Sequence, residues 1–233
     1  MRLILFDGMA IVYRSYYAYS SNLRVNSKGM NTGPALGFAT TLYDLIKKLA
    51  PTHLAVACDL HKPTFRHEMF SEYKGNRDAT PESILQCLPY IRQFVEAMHI
   101  PFLTKEGYEA DDIIGTVAHW AEQQGFDEVL MITPDKDFAQ LVTKKVHVYH
   151  FGSHGRPDSI LRIVDVQRQF GVSRCDQVRD ILGLWGDAVD NIPGIPGVGE
   201  KTAKKLIAQF GSVEAMVENS HEILNEKIRH LVE

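Results

Sequence analysis

EADDIIGTVAHWAEQQGFDEVLMITPDKD, residues 109–137, packs a helix pattern, a glycine stop, a strand and two acids into one short stretch. Ile113, Ile114, Val117 and Ala121 recur at helical spacing, and Gly125 ends the run. EVLMIT (128–133) has the length and apolar character of a buried strand, and Asp135 and Asp137 follow it at once. The same alternation extends outward. LILF (3–6), HLAVAC (53–58), IPFLT (100–104) and KVHVYH (145–150) read as further strands. PALGFATTLYDLIKKLA (34–50) is amphipathic through Leu36, Ala39, Leu42, Leu45, Ile46 and Leu49. PESILQCLPYIRQFVEAM (81–98) opens on a helix-starting proline, and Pro89 is expected to kink or divide it. Strands that alternate with helices predict an α/β fold with a mostly parallel central sheet flanked by helices. Beyond residue 160 the strand signal disappears and short helices with Gly/Pro turns take over. The expected division is an α/β core over 1–160 and a helical region over 161–233.

A chain of 233 residues suffices for one core with a small appendage. With 45% hydrophobic and 23% charged residues it has an ordinary globular composition. No apolar run approaches the roughly 18 residues of a membrane span. The opening MRLILFDG, interrupted by Asp7, does not read as a signal peptide, so a cytoplasmic protein is expected. The three cysteines form no CxxC, which argues against a disulfide framework and a thiolate zinc site. The ten histidines form no HExxH motif; His147, His150 and His154, near a strand end, are expected to face solvent. A net charge of −4 argues against indiscriminate nucleic-acid binding and still allows local basic patches.

Asp7 ends the first strand and Asp59 the second; Asp135 and Asp137 follow the fourth, and Glu109, Asp111 and Asp112 open the helix after the third. In a parallel sheet these strand ends share one edge, where ligand crevices form. Each acid alone reads as turn chemistry or as favourable charge in a first helical turn. Together they repel: two unit charges about 4 Å apart cost roughly 4 kcal/mol at an effective dielectric of 20. Divalent cations relieve this, and an all-oxygen set favours Mg²⁺ or Mn²⁺ over Zn²⁺. Paired ions of this kind suit phosphate chemistry. On an ideal helix Glu109 and Asp112 share a face while Asp111 points about 160° away, so the helical period leaves Asp111 out unless the helix starts later. A receiver domain would need fewer acids, and a phosphatase DxDG motif would need a second aspartate after Asp7.

GDAVDNIPGIPGVGEKTAKKLIAQFG (186–211) sets Asp187 and Asp190 ahead of Gly194, Gly197 and Gly199 and a stripe of Lys201, Lys204 and Lys205. Ala203, Leu206, Ile207 and Phe210 form the opposite, buried stripe. A Walker loop fails, because Glu200 stands where its lysine is required and no strand precedes it. The segment reads instead as a hairpin between helices whose glycine N–H groups face a phosphate, a grip that is salt-sensitive and indifferent to sequence. In HKPTFRHEMFSEYKGNR (61–77), Lys62, Arg66, Lys74 and Arg77 interleave with Phe65, Phe70 and Tyr73, a pattern suited to single strands. Phe65 and Phe70 read as core; Tyr73, Lys74 and Arg77 do so less easily.

In order along the chain, LFDGMAIVYRSYYA, PTHLAVACD, TFRHEMFSEYKGNR, GYEADDIIGTVA, TPDKDFAQLV and GDAVDNIPGIPGVGEKTAKKL resemble the motifs of the 5′–3′ exonuclease and flap endonuclease family. That family includes bacterial free-standing members and the 5′-nuclease domain of DNA polymerase I. The resemblance implies a PIN-like core and a two-metal hydrolase of replication and repair. Its substrate would be branched or nicked double-stranded DNA with a 5′ single strand, cut by a monomeric, nucleoid-associated bacterial-type protein. It implies two or more Mg²⁺ or Mn²⁺ ions held by Asp7, Asp59, Glu109, Asp111, Asp112, Asp135, Asp137, Asp187 and Asp190. Lys74 and Arg77 match residues on the scissile phosphate, Tyr73 one that stacks on the displaced nucleotide, and Arg14 a phosphate contact. Residues from about 70 to 95 would arch over the site. Gly194, Gly197, Gly199, Lys201, Lys204 and Lys205 would belong to a helix–hairpin–helix that holds duplex with a K⁺ ion. The chain departs from the pattern at Pro134, where glycine is common, at ACDLHK (57–62), and in stopping at Glu233, where members continue with further helices. Two rivals are a DNA-binding module that keeps the fold, and an RNA-cleaving PIN-type nuclease.

Overall fold

The computed structural model describes residues 1–60, 62–152 and 157–232, so His61 and His154 lie outside the described residues. Arg2–Asp7 forms strand β1, followed by helices α1 (Gly8–Ala18) and α2 (Gly33–Leu49) and strand β2 (His53–Ala57). A short α3 (Phe65–Met69) and the long α4 (Glu82–Ala97) lead to β3 (Phe102–Leu103). Helix α5 (Ala110–Gln123), β4 (Glu128–Ile132), β5 (Val146–His150) and β6 (Ser159–Leu161) complete the sheet. Its order is β3-β2-β1-β4-β5-β6, parallel except for the edge strand β6.

Period-two alternation in β1 sets both faces of this sheet. Leu3 and Leu5 enter the core under α5, and Ile4 and Phe6 enter the core under α1, α2 and α4. Fully burying such a side chain stabilises by about 1.5–3 kcal/mol relative to exposure. Because β1 lies between β2 and β4, the chain reverses its winding direction at the β1/β4 boundary, and a crevice opens at the carboxyl ends of these two strands.

Several expectations need correction. Helix α4 runs unbroken across Pro89, because Ile84, Cys87, Ile91 and Val95 form a continuous buried stripe in the core shared with α2. Residues 82–95, the larger part of the expected arch, therefore belong to this packed helix. Strands also recur at and beyond residue 160. After β6 come α6 (Ile163–Phe170) and α7 (Val178–Trp185), then a ribbon of β7 (Gly186–Asp187) and β8 (Ile192–Pro193). Two-residue strands carry no periodicity, so the sequence pattern does not reveal them. Helices α8 (Glu200–Phe210), α9 (Val213–Glu218) and α10 (Glu226–Val232) follow. His147 is buried, and its Nε2 meets Arg162 Nη1 at 2.8 Å instead of facing solvent. No helix among the described residues is long and apolar enough to cross a membrane.

Candidate active site

The strand-end acids converge as the topology requires. Asp7 terminates β1 and caps α1 through Ala10 N–H at 3.0 Å, while its other oxygen accepts from Thr133 Oγ1 at 2.9 Å. Thr133 is fully buried and also accepts from the Asp135 N–H, so it joins β1 to the loop after β4. Asp59 accepts from Ala110 N–H at 2.8 Å and thereby anchors the start of α5 beside the end of β2. Asp135 accepts from the N–H of Asp137 at 2.9 Å. Asp7, Asp59, Glu109, Asp111, Asp135, Asp137, Asp187 and Asp190 line one cleft of about 780 Å³, together with Lys74, Arg77 and Lys136.

The helical-period argument fails for α5 because Glu109 is its N-cap, with extended backbone (φ −94°, ψ 163°), and so lies off the helical wheel. Asp111 lines the cleft. Asp112 does not: it accepts from Glu109 N–H at 2.9 Å and from both Arg66 Nη atoms at 2.8 Å. Burial works against the charge on Asp112, but the Arg66 fork and the Glu109 N–H outweigh it and lower its pKa.

Residues 70–77 are stitched to the β7–β8 ribbon. Asn191 Nδ2 donates to Glu72 O and Asn76 Nδ2 to Ala188 O, each at 2.7 Å. Lys74, at a left-handed φ of 56°, donates its N–H to Asp190 O at 2.9 Å and its ammonium to Glu109 Oε2 at 2.9 Å. Arg77 pairs with Asp190. Tyr73 reverses the expectation: it is 6% exposed, and its hydroxyl donates to Glu109 at 3.0 Å and Asp190 at 3.2 Å. Burial raises the phenol's pKa and the two carboxylates add to the effect, so it remains a donor. Its ring is enclosed here instead of being offered for stacking, whereas Phe65 and Phe70, read as core, are exposed. Arg14 lies outside the cleft lining, with its guanidinium 4.5 Å from the centre of the Phe151 ring.

The electrostatics favour a cation. Burial drives Asp111 up to about 8, with Asp7, Asp135 and Asp59 reinforcing it. Burial likewise raises Asp7 and Asp137 to about 6 each. Asp137 Oδ1 is buried without a hydrogen-bond partner. Among the described residues no three such side chains stand in a ready-made ligand set. Instead, Lys74, Arg77 and Lys136 hold Glu109, Asp190 and Asp187. Burial opposes charge on both Lys136 and Asp187, yet their 2.6 Å contact raises the lysine and lowers the acid. Asp7, Asp59, Asp111, Asp135 and Asp137 have no ion-pair partner among the described residues, which fits them to divalent ions. Sequence reasoning missed Thr133 and Lys136. Thr133 left no signal, but Lys136 sits in plain view between the two acids of PDKD.

In the glycine segment the expected roles separate. A Cβ on Gly194 would overlap the Trp185 carbonyl, and one on Gly186 would overlap Gly194 N, so this pair is small for the sake of the ribbon. Gly197 and Gly199 have nothing within 4 Å of a Cβ position. Ala203, Leu206 and Ile207 are buried as expected. Lys201 and Lys205 are exposed, whereas Lys204 is tied to Gln169 O at 2.8 Å and Glu200 at 2.7 Å.

Residues 2–171 match the family model for the 5′–3′ exonuclease N-terminal resolvase-like domain, and residues 173–233 match that for the 5′–3′ exonuclease C-terminal SAM fold. The chain is 42% identical over 232 residues to DNA polymerase I of Bacillus subtilis, covering 100% of this chain and 26% of that one. It thus spans about a quarter of the length of the curated relatives it matches. Its structure superposes on T5 5′-exonuclease with bound zinc at a TM-score of 0.81 and 25% identity, covering 100% of this chain and 84% of that one. A second solved structure, the bacteriophage T5 flap endonuclease in a pseudo-enzyme-product complex with DNA and metal ions, gives a TM-score of 0.80 at 24% identity with the same coverage. The core is therefore a PIN-like, resolvase-like sheet with a C-terminal helical unit. With both domains matched in order over nearly the whole length, the chain belongs to the 5′–3′ exonuclease family.

Proposed function

We propose that the chain hydrolyses DNA phosphodiester bonds at 5′ flaps, nicks and 5′ ends, with two or more Mg²⁺ or Mn²⁺ ions in the carboxylate cleft. The observation that carries this reading is the charge deficit of the cleft: Asp7, Asp111 and Asp137 are pushed above the usual carboxylate range, and Asp137 keeps an unpartnered buried oxygen. Bound divalent ions supply Lewis acidity for water activation and for charge on the phosphate. Asp7, Asp59, Asp111, Asp135 and Asp137 would hold them, with Glu109, Asp187 and Asp190 joining once their lysine and arginine partners are released. Lys74 and Arg77 line the same cleft and offset charge on the scissile phosphate's oxygens. Tyr73 orients Glu109 and Asp190 through its hydroxyl, and Asp112 orients Arg66.

The substrate would be branched or nicked double-stranded DNA with a 5′ single strand, consistent with the T5 flap endonuclease solved with DNA and metal ions. The backbone at Gly197 and Gly199, with Lys201 and Lys205, would grip the duplex in a helix–hairpin–helix assisted by K⁺, and Arg14 would meet a more distant phosphate. Residues 70–81 would form the part of the arch nearest the cleft. The protein would act as a monomer; a place in the bacterial cytoplasm, associated with the nucleoid, accords with relatives that are bacterial DNA polymerases. The test is cleavage of a labelled 5′-flap duplex with Mg²⁺, with EDTA, and by Asp135→Ala. Metal-dependent cutting at the junction, lost in the variant, is expected, and a matched RNA flap should stay uncut. Duplex binding without cutting by folded wild-type protein would overturn the nuclease reading in favour of a binding module.

A further inference from the structure

Lys136 lies between Asp135 and Asp137 at the start of the 3₁₀ helix (Lys136–Leu141) that follows β4, and its ammonium reaches across the cleft to Asp187 Oδ2 at 2.6 Å. Its ammonium stands 5.7 Å from the centre of the Trp185 ring, and the side chain is 37% exposed, so a route to solvent is open. Asp187 Oδ1 is already committed to the N–H of Val189 at 2.8 Å. Oδ2 is thus the oxygen that an ion in the cleft would seek, and the lysine holds it. Asp187, Asp137 and Asp135 are the carboxylates whose charge acts on this ammonium, and Asp137 Oδ1 is buried without a hydrogen-bond partner.

A divalent cation and the ammonium are like charges drawn to one carboxylate. Resting on the metal-dependent reading above, we propose that Lys136 is a resident counter-cation that neutralises Asp187 in the ion-free cleft and releases it when a divalent ion enters. Its charge then sets how tightly the ion is held. Coupling of this kind is reciprocal: whatever the ion loses to the lysine, the lysine loses to the ion. A plain structural strap between the sheet edge and the β7–β8 ribbon makes the opposite prediction. Cutting a strap would misplace Asp187 and weaken metal binding, whereas removing a competitor strengthens it.

The experiment is Mn²⁺ binding to the full chain without DNA, read from the electron paramagnetic resonance signal of free Mn²⁺. Wild type, Lys136→Met and Lys136→Arg are compared, with circular dichroism to verify folding. Lys136→Met is expected to bind Mn²⁺ about tenfold tighter, and Lys136→Arg to stay near wild type. A second reading uses thermal melting. Metal-free Lys136→Met should melt below wild type, and Mn²⁺ should raise its midpoint by more than it raises that of wild type. Equal or weaker Mn²⁺ binding by folded Lys136→Met, beside a wild type that binds, overturns the counter-cation role alone. Absence of Mn²⁺ binding in wild type overturns the metal reading and this proposal with it.

Discussion

Asp111 faces the acidic cleft, while Asp112, the next residue of the same helix, turns out of it onto the fork of Arg66. Adjacent acids therefore have separable duties, and their amides should fail differently. Asp111→Asn should lose metal-dependent cleavage by about 100-fold or more while melting higher than wild type in EDTA at pH 8, because a strained charge is gone. Asp112→Asn leaves Arg66 short of a charged partner and should cost about 1–3 kcal/mol of stability. Denaturant melts beside flap-cleavage rates check both. Equal melting shifts in the two variants would sink the distinction.

The raised acids fix a pH dependence. Asp111 moves from 3.8 to about 8, and Asp7 and Asp137 from 3.8 to about 6. The native state thus binds more protons than the unfolded chain between these values, and metal-free stability falls as pH rises through them. The penalty is complete above about 8. His147, whose pKa burial lowers from 6.5, acts oppositely, since its contribution is lost as pH falls below that value. The informative window is accordingly about pH 7 to 8, below the range in which the three thiols, raised from 9.0 by burial, add a fall of their own. The EDTA melting temperature should drop across it, and Asp111→Asn should flatten the drop. A flat wild-type profile would show that Asp111 is not raised.

The sheet and its acidic edge were legible because strand length, glycine stops and parallel topology are local or simply counted. Asp7, Asp59 and Asp135 sit where their strands end, so direction alone aims them. What escaped depends on partners far away in sequence. Tyr73 is buried by a hydrogen bond to Glu109, 36 residues on, and another to Asp190, 117 residues on. Its aromatic neighbours Phe65 and Phe70 were read as core for want of any local cue to their exposure. The helical period alone leaves Asp111 out, because it treats the cap residue Glu109 as helical, whereas the family resemblance puts Asp111 in the site. The β7–β8 ribbon is too short to leave a pattern, yet it carries Asp187 to the cleft.

That ribbon supplies a sharp test. Gly186, at φ 84°, and Gly194 press backbone against backbone, so neither neighbour can yield to a methyl group. Gly194→Ala should part the ribbon, displace Asp187 and lower stability by about 1–3 kcal/mol, the range for overpacking. Gly199→Ala meets open space at an ordinary φ of −92° and should melt like wild type. Urea melts of both variants decide the matter; an undisturbed Gly194→Ala would refute the packing argument.

The lysine stripe of α8 divides in the same way. Lys201 and Lys205 are exposed, while the Lys204 ammonium is held by Gln169 O and Glu200 and lies 5.9 Å from the centre of the Phe170 ring. A cation already satisfied within the protein releases few counterions when DNA binds. Lys201→Ala and Lys205→Ala should each reduce the slope of log affinity against log salt by about 1. Lys204→Ala should leave the slope near wild type and lower the melting temperature instead. Fluorescence anisotropy of a labelled flap duplex in Ca²⁺, titrated at several salt concentrations, separates the three. A slope loss confined to Lys204→Ala would mean that this lysine abandons Gln169 for phosphate when duplex arrives, and would return the stripe to its sequence reading.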